Sequence, residues 1–471
     1  MTDAPALSVP AGARSSRSWR DHSVRFAVVL AFADASIVVL ALPQIVGQLD
    51  TTISHVTWVI MAYNVALIAG VVGYLAVGNR VTPARALLAG LLLFGAASIG
   101  CGLADSLELL VAMRCVQGFG GALLLCASLP LLAGASEPGE SPTAGWAAAA
   151  AIGAAIGPAA GGLLTQLFDW RAIFLAQAPA AALAAAAVVA VPVRSFRTVD
   201  EDEAAPSRTG PVTANAALLL LSAGLIGALF LVVVLLIDVW RLEPAEAAAV
   251  VSAIPIATVL TNRLGRGRSP FATGMAGAAL LALGLVLIGV VTHRQVPVVV
   301  VALALCGAGL GLAFTTLTAA AMSGRGHAFA RAGRTVAARD AGLVLGLLVL
   351  TPIFVHDLDE APGRALPPVA AAVIGAPIDN AVKAGLGAAL LKSYRQTPQG
   401  QLPDLDPAFD QAREQADATT AAQLTELQRT IEDVIEREVT ESFRRSLLVS
   451  AGFALLVLPL LALRLVQSRR P

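Results

Sequence analysis

The sequence predicts an all-α integral membrane protein: twelve transmembrane helices in two six-helix pseudo-repeats, with an extracytoplasmic helical insertion between helices 11 and 12. Three observations carry that prediction. Hydrophobic residues make up 57% of the 471-residue chain and charged residues only 14%. The apolar residues are gathered into runs of about 20, the length at which a helix rising 1.5 Å per residue crosses a bilayer core of roughly 30 Å. A polar stretch at 194–213 then divides the runs six and six, the layout of a parallel repeat related by an axis along the membrane normal. The net charge of zero favours no charged partner, and no basic tract or stacking platform points to nucleic acid.

The runs fall at 25–47, 57–77, 84–104, 107–133, 144–167, 172–193, 214–238, 245–261, 272–292, 296–321, 338–356 and 445–466. The eighth is short and contains Pro255. Residues 1–24 are a polar tail, 25–193 an N-terminal bundle, 194–213 a linker and 214–356 the first five helices of a C-terminal bundle. Residues 357–444 are the insertion and 445–471 the last helix and tail. The polar start, and a first run too long for a signal and without a cleavage site, speak against a cleaved leader.

Orientation follows from arginine. With the N-terminus inside, 19 arginines fall on that face and only Arg171, Arg241 and Arg294 in the short loops of the other. By the positive-inside rule both termini are cytoplasmic. NRVTPAR after the second run and NRLGRGRSP after the eighth occupy equivalent places in the two halves. Lys occurs only at Lys383 and Lys392 against thirty arginines, a bias we attribute to a GC-rich genome and hence to a bacterial plasma membrane. Cys101, Cys115, Cys126 and Cys306 lie in apolar runs without CxxC spacing and read as small buried hydrophobes.

Two charges interrupt the runs at a cost. Asp34 sits near the centre of the first, where a carboxylate costs about 2.5–3.5 kcal/mol on insertion scales and as a rule faces a bundle interior or a wet cavity. Arg114 sits in MRCVQGFGGALLL of the fourth. Counting from the respective membrane faces places Arg114 about 10 Å and Asp34 about 15 Å deep, so the two differ by about 5 Å in depth. An arginine side chain spans that gap if the helices are neighbours. With the guanidinium beside it the ionised carboxylate is favoured; behind apolar walls the protonated form is favoured. A static structural ion pair is the alternative. Asn64 and Gln117 are candidate cavity polars or interhelical hydrogen-bonders. In the fifth run, AIGAAIGPAAGGLL, Gly153, Gly157 and Gly161 recur every four residues, with Gly162 adjoining, and give a face on which another helix packs closely. Pro158 predicts a bend.

Together these pieces resemble the major facilitator superfamily, in particular its multidrug/proton antiporter group. ADASIVVLALPQI is similar to the group's first-helix motif with Asp34 at its acidic position, and RCVQGFGGA to the fourth-helix motif. GAAIGPAAGG resembles the fifth-helix motif associated with antiporters, and DWRAIFLAQAP its usual sequel. RDAGLVLG, with Arg339, Gly342 and Gly346, is a looser match in the eleventh. The resemblance covers 25–356 and the last run but not the insertion. It implies a proton-coupled exporter of drugs or small amphiphiles, no enzyme, working by alternating access. Asp34 and Arg114 would carry proton coupling, and Gly157, Pro158 and Gly161 a hinge between halves. Lipid, protons and a small-molecule substrate are the implied partners. No cofactor or metal is implied, since no His pair or acid cluster falls within a run. One position departs: the family's acid after the second helix is Val77 here. That acid normally latches against basic residues near the eleventh helix; Arg80, Arg85, Arg331, Arg334 and Arg339 remain as the expected cytoplasmic gate.

The insertion opens acidic with Asp357, Asp359 and Glu360 and continues with apolar stretches at 366–376 and 381–391. Residues 408–444 contain no Pro or Gly, and Leu424, Leu427, Ile431 and Val434 keep helical spacing, predicting one amphipathic helix of about 55 Å that runs into the last run. Folding back on 366–395 would cover its stripe. Its readings are a lid, a docking arm for an envelope protein, or an insertion without transport role. Export of a lipid or secreted natural product through that arm, and a non-transporting sensor on the same fold, are the alternative functions.

Overall fold

The computed structural model describes residues 11–77, 80–135, 142–189, 209–265, 267–323, 327–396, 405–414 and 416–468. The linker positions 194–208, and the loop residues Asn79, Arg266 and Arg325, lie outside them. Among the described residues every element is helical. Twelve helices of the described residues are long and apolar enough to cross a membrane: Asp21–Gln48, Ile53–Val77, Pro83–Gly102, Leu107–Ala133, Pro142–Leu167, Arg171–Val189, Gly210–Val239, Pro244–Gly265, Pro270–Gly289, Val296–Met322, Ala328–Gly375 and Ala418–Leu465. We call these spans 1 to 12, and the end of the bundle at which span 1 begins the near face.

Local chemistry explains the departures from ideal helix. The first helix starts at Ala11, inside the expected tail; an i,i+4 ion pair of 2.6 Å between Arg25 and Asp21 supports its polar start. Further along, Val38–Ala41 tightens to a 3-10 turn before Leu42–Gln48, because Pro43 lacks an N–H and its ring crowds the carbonyl four residues back. Span 8 divides at Ser252 into Pro244–Val251 and Ala253–Asn262, for the same reason at Pro255.

Spans 1–6 pack among themselves and spans 7–12 do likewise; between the halves span 2 meets span 11 and span 5 meets span 8. Those two contacts exchange under a six-span shift, as a parallel repeat requires. The glycine face of span 5 explains how close the first half packs. A Cβ on Gly153 would strike the Val29 carbonyl oxygen, one on Gly157 would lie 2.8 Å from that of Ala33, and one on Gly161 2.6 Å from that of Ile37. The second half repeats the construction, with Gly342 and Gly346 of span 11 against the Leu219 and Ala223 carbonyls of span 7. The glycine face expected to hinge the halves therefore belongs mostly inside one half; of its four glycines Gly162 abuts span 8, at Ala248 and Pro244. Gly157→Leu is expected to lower stability by about 1–3 kcal/mol through overpacking against backbone that cannot retreat, read as an earlier thermal transition of the purified protein.

The helix of span 11 runs 48 residues, Ala328–Gly375, through Pro352, Pro362, Pro367 and Pro368, and that of span 12 runs 51, Ala418–Ser468. The two stay side by side beyond the bundle. Phe354 and Phe443 rings are 4.4 Å apart, Arg445 pairs with Asp357 at 3.5 Å, and Arg364 with Glu438 at 3.5 Å. The acidic stretch 357–360 thus continues a helix. Two shorter helices, Asn380–Gln396 and Asp406–Glu414, complete the insertion. Leu424, Leu427 and Ile431 are buried with Val373, Leu386 and Phe409 in a separate apolar cluster, while Val434 is half-buried. The stripe is covered as the fold-back requires, but the expected helix 408–444 is interrupted before Ala418. Asp417 caps the new start, accepting the Thr420 N–H at 2.8 Å; the Thr420 side-chain and backbone donors hold its carboxyl below the usual carboxylate range. The insertion is therefore a stiff extension of spans 11 and 12.

Candidate functional site

Asp34 lies on span 1 one turn before the 3-10 turn, wholly buried, and Arg114 on span 4 is 1% exposed. Arg114 Nη1 donates to both carboxylate oxygens, at 2.9 Å to Oδ1 and 2.8 Å to Oδ2. The same nitrogen reaches Gln117 Oε1 at 2.7 Å, and Nε donates to the Val59 carbonyl of span 2 at 3.0 Å. Gln117 follows Arg114 by three residues and so shares its helix face. Its Nε2 donates to Ser98 Oγ of span 3 at 2.9 Å and to Gln177 Oε1 of span 6 at 3.0 Å. The Tyr63 ring lies 4.3 Å beneath the guanidinium. Four spans besides the first contribute to the network around one carboxylate, which makes burial of the two charges tolerable: the pair is compensated by hydrogen bonds on both partners.

Of the predicted polars, Gln117 belongs to this network and Asn64 does not. Asn64 Nδ2 bonds its own helix at the Ile60 carbonyl, 2.8 Å away. Ser98, Gln177 and Tyr63 escaped the sequence reading, because single neutral polars in apolar runs carry no spacing signal.

A second charged pair sits in the other half. Arg339 donates from Nε and Nη2 to Asp340 Oδ1 at 3.1 and 2.8 Å; Asp340 is wholly buried and Arg339 is 12% exposed. The Arg339 guanidinium lies 4.0 Å over the Phe32 ring of span 1. Sequence reading passed over Asp340, although an acid beside an arginine in an apolar run was a signal that could have found it.

Arg339 was expected at the cytoplasmic gate. Eight residues separate it from Arg331, about 12 Å along a helix, and it lines a central cavity instead. That cavity, about 120 Å³, lies between the halves and is walled by Phe32, Ser36, Pro158, Leu225, Pro255 and Arg339 among others. Arg331 is buried, Arg80 and Arg85 are exposed, and exposed Arg334 bonds its own helix at Ala330. The near face is closed by apolar contacts. Tyr74 meets Phe329 edge-on at 5.8 Å, and Gly333 fits against Val71 and Cys126. Val77, where the family has an acid, follows Tyr74 by three residues and is exposed. At the other face Gln166 Nε2 donates to Glu243 at 2.9 Å, joining spans 5 and 8.

The family model described as Major Facilitator Superfamily matches residues 25–351, and the chain belongs to that family. It is a multi-pass membrane protein with that family's fold. Among curated proteins it is similar to the lincomycin resistance protein of Streptomyces lincolnensis, 39% identical over 168 residues, which are 34% of each chain. The methylenomycin A resistance protein of Streptomyces coelicolor is 32% identical over 190 residues, 38% of this chain and 39% of that one. The tetracenomycin C resistance and export protein of Streptomyces glaucescens is 31% identical over 193 residues, 40% of this chain and 36% of that one. The matched segments thus span little more than a third of these relatives. Among solved structures, a bacterial homologue of the human lysosomal transporter Spinster, in an inward-facing and unoccupied conformation, superposes with a TM-score of 0.61 over 95% of this chain and 96% of that one. At 13% identity that likeness concerns the fold alone.

Proposed function

We propose that the protein is a proton-coupled secondary exporter of small amphiphilic molecules in a bacterial plasma membrane, both termini cytoplasmic. The observation that carries the proposal is the buried Asp34–Arg114 pair, whose carboxylate sits on span 1 between residues of the cavity wall. Phe32, Ala35 and Ser36 line the cavity, so cargo pressing on span 1 displaces the carboxylate flanked by those residues. Arg114, on span 4, is held independently by Val59 and Gln117. Separation of the two favours a neutral, protonated acid, and their return favours the ion pair and releases the proton. Proton binding and cargo binding then compete through one helix, which is what antiport requires.

A cavity of about 120 Å³ is smaller than the roughly 300–1,000 Å³ of sites for drug-sized ligands. Cargo entry therefore demands that the halves part, at the near-face seal or at the Gln166–Glu243 side in turn. Names of the relatives, which concern resistance and export, favour outward transport of antibiotic-like molecules. The experiment that tests the proposal is proton movement driven by a cargo gradient in proteoliposomes of the full chain.

A further inference from the structure

On the reading of the cavity as the cargo site, we infer that the site takes amphiphiles carrying a negative charge, with the head group held by Arg339, Thr318 and Thr335. Among the residues that line the cavity Arg339 is the single charged one. Neither Asp34 nor Asp340 lines it: both are 0% exposed, each with its arginine. The second pair is turned so that its positive member meets the cavity and its negative member lies behind. Both Arg339 bonds to Asp340 converge on Oδ1, leaving Nη1 uncommitted among the described residues.

A small recess of about 10 Å³ adjoins Arg339 and is lined also by Phe32, Trp146, Thr318 and Thr335. Thr318 and Thr335 are 1% and 3% exposed, and neither hydroxyl has a hydrogen-bond partner among the described residues. Buried hydroxyls left unbonded are costly and are rarely tolerated without a purpose. One guanidinium edge and two hydroxyl donors around space for a single oxygen make a receptor for an anionic oxygen. The adjoining apolar cavity takes the body of the molecule. A cation there meets the guanidinium side of the pair and no carboxylate in the cavity wall.

The test uses binding by calorimetry to the purified full chain, with three matched probes: 2-naphthylacetate, 2-naphthylacetamide and 2-naphthylethylamine. The acid is expected to bind at least about tenfold more tightly than the amide, and the amine more weakly than the amide. Two variants remove the receptor without leaving a lone buried charge. Arg339→Gln with Asp340→Asn, and Thr318→Val with Thr335→Val, are each expected to weaken the acid more than the amide, the first erasing the acid's advantage over the amide. Equal affinity of acid and amide for the wild type, no binding of any probe, or an acid preference that survives both variants overturns the inference. An ordered water as the recess's sole occupant predicts the first of those results. Gradient-driven movement of the amide in vesicles tests export separately: movement without an acid preference in binding contradicts this inference alone, and an acid preference without movement contradicts export alone.

Discussion

Asp34→Asn is expected to leave the protein folded in the membrane and to reduce gradient-driven export to the leak of protein-free vesicles. Asn keeps the shape and an acceptor for Arg114 Nη1, which now reaches both Asp34 oxygens within 2.9 Å. What it removes is the site that exchanges a proton. The variant exchanges one buried pair for a hydrogen-bonded cation with Gln117 and Val59 still in place, so the fold has other anchors. Quantifying protein in the membrane beside uptake into inside-out vesicles separates loss of coupling from loss of protein. Wild-type response to an imposed proton gradient in this variant contradicts the role given to Asp34.

Arg114→Leu is expected to destabilise the chain by about 3–5 kcal/mol, because it strands a wholly buried carboxylate. The loss is measured as an earlier thermal transition in detergent. Combining it with Asp34→Asn is expected to recover most of that stability while export stays absent, since the double variant buries no unpaired charge. Arg114→Lys does not substitute: an ammonium cannot serve Asp34, Gln117 and the Val59 carbonyl together from a planar fork. A double variant as unstable as Arg114→Leu alone shows that packing of the arginine, over Tyr63 at 4.3 Å, outweighs its charge.

The sequence made the first charged pair legible because intramembrane charges are rare and helix rise converts residue counts into depth. Asp34 and Arg114 could be paired on that arithmetic before any contact was known. Their neutral partners could not, since Ser98 and Gln177 become neighbours only through the packing of spans 3, 4 and 6. Arg339 shows a different limit. As one of several arginines near the start of span 11 it was assigned to the gate, and helical register alone places it about two turns deeper than Arg331, at the cavity. Spacing likewise identified the close-packed face of Gly153, Gly157 and Gly161 but not its partner, because any neighbouring helix satisfies a small-residue face. In the insertion the apolar stripe at Leu424, Leu427 and Ile431 was readable and the helix start at Ala418 was not, although Asp417 three residues before Thr420 is a capping signal.

The central claim is that a proton crosses through Asp34 in exchange for cargo. The direct measurement loads proteoliposomes containing the full chain with a pH-sensitive dye, imposes a gradient of a transported compound and no pH gradient, and follows internal pH. The account predicts proton movement opposite to the cargo, proportional to it, and absent in Asp34→Asn. Cargo movement without proton movement, or proton movement that persists in Asp34→Asn, contradicts it.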